Sequence, residues 1–479
     1  MAAGNIDAVI AQAKLDRKRL DSAAIGPFSL TAIGIASVVG AGIFVTIGEA
    51  SARYAGPAVI FSFMLAGLAA GVTALCYAEL AAMVPAAGST YSYAYAVFGS
   101  FLAWFIGWDL LLEYLFAAST VAVGWSGYFV SFLGSIGISV PHDLVTPPFG
   151  DDTGILNLPA LAIVFATCTL LFVGTRESTR ANNVMVALKL GVLLLFIGVG
   201  VFYISKANWE PFVPENTGGF GDYGITGILR AAGVVFFAYV GFDAVSTAAA
   251  EAKRPQRTIP IGLLATVIIS TVLYVLIGIV MTGMVPFKTL NVADPLALAV
   301  REGGSGLDWL ESAVSLAAVI GLAATVLVTF YGQTRIVMRM SSDGMLPDRL
   351  GVVGARFKTP GAATLVCAVA GAAVAALLPI DILGDLVSIG TLLSFTIVCA
   401  GVLVLRHTRP DLERPFRVKG VWVVAPLGII FAVALMATLP ITTWIRLGVW
   451  LAIGLVIYFT YARRRTTERM GRLATADPS

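Results

Sequence analysis

Apolar residues arrive along this chain in long blocks separated by short polar connections. A helix needs roughly 20 apolar residues to cross the hydrocarbon core of a bilayer. Blocks of that size predict helical spans at 28–53, 57–84, 100–133, 157–175, 183–205, 225–249, 259–284, 309–337, 361–379, 382–406, 421–439 and 443–462. That makes about twelve, so both tails fall on one side. The expected fold class is all-α and integral to a membrane. Two connections, 134–156 and 285–308, are long enough to hold structure of their own. The connection 338–360 contains Ser341-Ser342-Asp343-Gly344, a turn composition.

Composition supports the pattern. Hydrophobic residues are 58% of the chain and charged residues 12%, where a soluble domain carries about 25% charged. The net charge of +3 says little, but its placement says more. Loops on one side carry Arg176, Arg180, Lys253, Arg254, Arg257, Arg335, Arg339, Arg349, Arg356, Lys358, Arg406, Arg409, Arg414, Arg417 and Lys419, and the tails add nine. The opposite loops carry Arg53, Lys206, Lys288, Arg301 and Arg446. The count of 24 against 5 puts both termini in the cytoplasm by the positive-inside rule. The first 25 residues are polar and basic, without the apolar core of a secretory signal, and read as a cytoplasmic tail or an interfacial helix.

Metal and nucleophile chemistry find little support. Cys76, Cys168, Cys367 and Cys399 lie inside apolar blocks and read as small buried hydrophobes. His142 and His407 are the only histidines, both in connecting segments. No zinc-protease pair, nucleophile elbow or phosphate-binding loop is present. The chain reads as a non-enzyme.

Two spans carry signals for broken helices. The first contains Gly40-Ala41-Gly42, and each interior Gly weakens a helix by about 1 kcal/mol relative to Ala. Close packing through small residues is the other reading of this run. The sixth contains Phe236-Phe237-Ala238-Tyr239-Val240-Gly241-Phe242-Asp243, a Gly and an acid at membrane depth. Five spans separate the two, so the breaks fall at matching positions of an inverted repeat, which points to a midplane binding site. Unwinding the first span frees the N–H groups of Ala41, Gly42 and Ile43, which suit a carboxylate. The carbonyls of Val38, Val39, Phe237, Ala238 and Val240 suit an ammonium. Together they fit the head of a zwitterion, with the Phe237 ring beside it.

Ionisable residues inside spans are functional candidates because burying charge is expensive. Lys189 either snorkels to the near interface or lies buried and exchanges a proton during a cycle. Asp109 and Glu113 share a helix face; Asp109 reads as structural, and Glu113 either meets a cationic group or proton or stabilises the fold. Asp243 caps a helix or contacts ligand. Glu79 reads as a gate or packing partner, and Arg230 either snorkels or pairs with an acid of an outer gate.

Several stretches carry a resemblance. Gly34-Ile35-Ala36-Ser37-Val38-Val39-Gly40-Ala41-Gly42-Ile43-Phe44, Glu251-Ala252-Lys253-Arg254-Pro255-Gln256-Arg257-Thr258-Ile259-Pro260, Tyr331-Gly332-Gln333-Thr334-Arg335 and Ser342-Asp343-Gly344-Met345-Leu346-Pro347 resemble segments of the amino acid–polyamine–organocation (APC) transporters. Trp108-Asp109-Leu110-Leu111-Leu112-Glu113-Tyr114 and Phe237-Ala238-Tyr239-Val240-Gly241-Phe242-Asp243 are most similar to the cationic amino acid transporters. The resemblance implies a LeuT-like five-plus-five inverted repeat with discontinuous first and sixth helices. It implies a tail at 1–27, a transporter core at 28–406, two additional helices at 407–462 and a tail at 463–479. It further implies substrate at the breaks, alternating access and, through Lys189, proton coupling without sodium; the lysine stands where a sodium ion sits in sodium-coupled relatives.

Ala41 departs from several relatives, which place a hydroxyl there. Thr329 aligns with a site that is small and polar in animal cationic transporters and leaves room for a long side chain. The expected function is therefore a proton-coupled amino acid permease of the cytoplasmic membrane. Its expected substrates are arginine, lysine or small neutral amino acids. An exchanger on the same fold and a non-transporting nutrient sensor are the alternatives. No cofactor beyond the coupling proton and no nucleic acid is expected; lipids surround the protein, and a single-helix membrane partner of the kind some relatives bind stays open.

Overall fold

Every described regular element is helical. The computed structural model describes residues 26–83, 89–149, 154–173, 179–243, 245, 254–354, 357 and 359–466. Most of both expected tails and residues 251–253 of the basic motif lie outside the described residues. The helices are α1 (Pro27–Val38), α2 (Val59–Met83), α3 (Ser89–Phe98), α4 (Ser100–Ser135), α5 (Leu158–Val173), α6 (Thr179–Gly200), α7 (Gly224–Val235), α8 (Pro255–Met284), α9 (Pro295–Gly303), α10 (Asp308–Ser342), α11 (Gly361–Leu377), α12 (Ile380–Thr408), α13 (Val421–Thr438) and α14 (Ile441–Ile457). Among the described residues, eight helical stretches are long and apolar enough to cross a membrane, and four more apolar helices are shorter. At 1.5 Å per residue α4 reaches about 54 Å, well beyond a core of about 30 Å.

Differences from the expected spans have local causes. α10 runs on through Ser342 before Gly344, at φ +80°, turns the chain, so Ser341 and Ser342 are helical rather than turn residues. The connection 285–308 holds α9, which starts on Pro295 at its first turn. The segment that separates 57–84 from 100–133 contains α3. Its Ser- and Tyr-rich sequence carries too little apolar character to register as a span. His407 sits in the last turn of α12, not in the loop.

Many small residues face inward, as expected where lipid is as apolar as the side chains, and large rings such as Phe63 and Tyr77 are buried beside them. In α2, Ala66, Gly67, Ala70 and Ala74 are buried while Phe61, Met64 and Leu68 are exposed. α2 packs along α8, which also covers α1; α4 lies between α10 and α12; α5 pairs with α11, and α12 with α13. The four cysteines are buried and unbridged.

One buried ion cluster ties the end of α2 to the chain after α12. Arg406 donates to both Glu79 carboxylate oxygens at 2.7 Å, Arg414 lies 3.5 Å away, and the Val418 N–H donates to Glu79 at 2.8 Å. Glu79 is thus a packing partner. Removing one member of a buried pair costs about 3–5 kcal/mol. Glu79→Ala should lower stability by about that amount in chemical denaturation of the detergent-purified protein; an unchanged midpoint would mean that the cluster contributes nothing net.

Candidate functional site

Both sequence-marked spans are broken. α1 ends at Val38; Val39 departs from helical geometry at φ −75°, ψ 89°. The helix restarts at Ala41 and proceeds through a π-helical turn, Gly42–Thr46. Such turns concentrate at functional sites. α7 tightens into a 3₁₀ turn over Phe236–Tyr239 and opens at Val240, φ −59°, ψ 135°. Gly241 follows at φ +99°, a conformation that disfavours any side chain.

The breaks pack against each other. A Cβ on Gly42 would overlap the Ala238 Cα and sit 2.7 Å from the Ala238 nitrogen. A Cβ on Gly241 would come within 3.1 Å of the Ser37 carbonyl. Gly40 has more room, its nearest neighbour being the Thr325 methyl at 3.3 Å. The glycines therefore do both things expected of them: they weaken the helix, and they let two backbones touch.

Broken backbone at membrane depth needs internal partners, and side chains from other helices supply them. The Tyr274 hydroxyl of α8 lies 3.0 Å from the Val38 carbonyl and 2.9 Å from the Ala238 carbonyl, bridging the two breaks. Its single proton serves one carbonyl at a time. Lys189 Nζ donates to the Val39 carbonyl at 3.2 Å and to the Thr325 hydroxyl at 2.6 Å. The Tyr128 hydroxyl donates to the Phe44 carbonyl at 2.6 Å, its ring edge-on to Phe44.

Lys189 is 3% exposed. Its stem crosses Gly321, where a Cβ would lie 2.6 Å from the lysine Cγ. Val184 and Leu188 on the same helix are exposed, so the lysine turns inward from the lipid-facing side. Snorkelling is excluded by this geometry.

The expected backbone ligands are partly engaged already. The Ile43 N–H is spent on the Gly40 carbonyl at 3.2 Å, which leaves Ala41 and Gly42 as the first-turn donors. Val38, Val39 and Ala238 accept from Tyr274 and Lys189 as above, and the Phe237 carbonyl accepts from the Val240 N–H at 3.1 Å. Each carbonyl keeps a second lone pair. The Phe237 ring is buried.

The acids lie on α4 and just past the sixth-span break. Asp109 is fully buried; Ser394 donates to one of its oxygens at 2.9 Å, and the other has no hydrogen-bond partner among the described residues. Glu113 lies one turn further along α4, facing Thr391 and within electrostatic range of Asp243 and Asp109. Asp243 is half-buried just past the sixth-span break; of residues 244–253 that follow it, only Val245 is among the described residues. The Thr329 hydroxyl donates to the Thr325 carbonyl at 2.8 Å, one turn from the lysine's partner. Arg230 is buried: it donates to the Thr438 carbonyl, lies 4.0 Å from Asp385 and stacks over Tyr54. It pairs inward rather than reaching for an interface.

A profile of the family described as "Amino acid permease" matches residues 25–460. The chain belongs to that family, within the APC superfamily. This permease is 44% identical over 446 residues to a branched-chain amino acid permease of Bacillus subtilis, covering 92% of this chain and 93% of that protein. It is 41% identical over 442 residues to the methylthioribose transporter of the same organism, covering 92% and 94%. It is 36% identical over 383 residues to the vacuolar cationic amino acid transporter 4 of Arabidopsis thaliana, covering 80% and 63%. The permease is a multi-pass membrane protein and a transporter in kind, not an enzyme.

Tyr274, Thr325 and Tyr128 escaped the sequence reading. Their signal was present as hydroxyls at membrane depth within α8, α10 and α4, but spans contain many such hydroxyls, and only the fold aims these three at the breaks. Two substitutions separate contact from hydrogen bonding at this site. Gly42→Ala overpacks a backbone contact, costing about 1–3 kcal/mol, and should abolish transport while the protein still reaches the membrane. Tyr274→Phe removes one hydroxyl, a change of about 1 kcal/mol, and should leave transport reduced but measurable. Uptake per surface-expressed molecule tests both; a normal rate in Gly42→Ala would mean that the breaks separate freely.

Proposed function

We propose that this permease carries L-amino acids by alternating access around the Gly42–Ala238 contact, driven by protons and independent of sodium. Support comes above all from Lys189, whose ammonium meets the first-span break at the Val39 carbonyl. A substrate ammonium seeks the same class of acceptor, so the lysine and the substrate address one strip of backbone. Loss of the lysine proton replaces charge-assisted bonds to Val39 and Thr325 with weaker amine bonds and so loosens the link between α6, α10 and the break. Proton release and substrate release would then be mechanically connected. In this reading the first ten of the twelve expected spans form a five-plus-five inverted repeat, α13 and α14 stand outside it, and both termini face the cytoplasm.

The α-carboxylate would rest on the Ala41 and Gly42 N–H groups and the α-ammonium on the free lone pairs of the neighbouring carbonyls. For the side chain, Glu113 and Asp243 would favour arginine and lysine, with Thr329 leaving space. A second reading, a neutral branched or small substrate, is favoured by the relative named as a branched-chain permease and by the apolar Ile43, Phe44 and Phe237 beside the breaks. No resident cofactor is required, the coupling ion being the proton.

Uptake of labelled arginine, lysine, leucine and alanine into proteoliposomes, with an imposed inward proton gradient and with or without sodium, tests this. Sodium-independent uptake that rises with the gradient is expected. It should be lost in Lys189→Ala while ligand-induced thermal stabilisation remains. Glu113→Gln should depress arginine and lysine far more than leucine if the cationic reading holds. Uptake that requires preloaded amino acid and ignores Lys189 would leave an exchanger, and ligand binding without flux would leave a sensor.

A further inference from the structure

The chain between α12 and α13 gathers positive charge that its own contacts do not cancel. Residues 406–420 carry five cations, Arg406, Arg409, Arg414, Arg417 and Lys419, against Asp411 and Glu413. Arg409 pairs with Asp411 at 3.0 Å, and Arg406 and Arg414 share Glu79. With Glu79 counted, three carboxylates face five cations, a surplus of two. Among the described residues, Arg417 and Lys419 make no ion pair or hydrogen bond. The crowding registers at Arg414: burial lowers its pKa, Glu79 raises it, and Arg406 and Arg417 lower it again, for a net fall.

Arg417 and Lys419 line an open cleft of about 490 Å³ together with Arg406, Val421 and Trp422. From Trp422 onward, α13 carries an exposed apolar surface. Trp422 and Val423 are each 62% exposed and Ile430 is 59% exposed. Val423, Leu427 and Ile430 follow at helical spacing, so they form one stripe down α13. A basic rim, a tryptophan at the boundary and an apolar stripe below it match the layers of a membrane interface. A soluble anion would use the rim alone, whereas a molecule with an anionic head and an acyl tail uses all three.

We propose that this cleft binds an anionic phospholipid, its phosphate between Arg417 and Lys419 and an acyl chain along Trp422, Val423 and Ile430. Basic pockets beside membrane helices hold such headgroups through charge. The bound lipid cancels the surplus charge and braces the chain that Glu79 ties to α2. The proposal is independent of which solute the permease carries.

The full-length protein in detergent, titrated with phosphatidylglycerol, phosphatidylcholine of the same acyl chains, or inorganic phosphate, tests it. Melting temperature and lipid retained per protein by native mass spectrometry are the readouts. Phosphatidylglycerol should be retained and raise the melting temperature, and the other two should not. The double variant R417Q/K419Q should bind phosphatidylglycerol on the order of tenfold more weakly, with its lipid-free melting temperature unchanged. If the double variant does not fold, Lys419→Gln alone is scored the same way. Equal retention of phosphatidylcholine, full stabilisation by phosphate alone, or wild-type phosphatidylglycerol binding by the variant would each overturn the proposal.

Discussion

Backbone polar groups have no water to turn to at membrane depth, and this permease breaks two helices there. The rest of the site follows from that constraint. Gly42 and Ala238 bring the breaks into contact; Tyr274 bridges their carbonyls; Lys189 and Tyr128 satisfy groups on either side of the first break. Each partner comes from a different helix, so α8, α6 and α4 are all held in register by the same few backbone atoms.

The arrangement is tight without being closed. The donors already present are side-chain groups: an ammonium shared between a carbonyl and a hydroxyl, and a phenol hydroxyl that can rotate between two carbonyls. A buried site built from permanent backbone pairs would be stable and inert. One built from replaceable donors can trade an internal bond for a substrate bond, which is what a carrier must do at each turn of its cycle.

Elsewhere the buried charges do structural duty. Glu79 is bound by two guanidiniums and a backbone N–H. Arg230 links α7 to the end of α13 and to Asp385, while Thr443 donates to Asp385 at 3.0 Å. These contacts fasten α13 and α14 to the helices around the breaks, so the terminal pair is part of the packed body.

The apolar blocks alone established that the chain is helical and spans a membrane, because hydrocarbon demands length and internal hydrogen bonding whatever the packing. Gly40, Gly42, Gly241 and Asp243 marked the breaks, since a helix weakened at membrane depth is conspicuous in any context. Lys189 stood out for the same reason, though not its direction: 3.6 residues per turn places a side chain on a face, and only neighbouring helices decide whether that face meets lipid or protein. Tyr274, Thr325 and Tyr128 became partners of the breaks only in three dimensions. A hydroxyl in a span can bond its own helix four residues back, and sequence carries no record of which one reaches across instead.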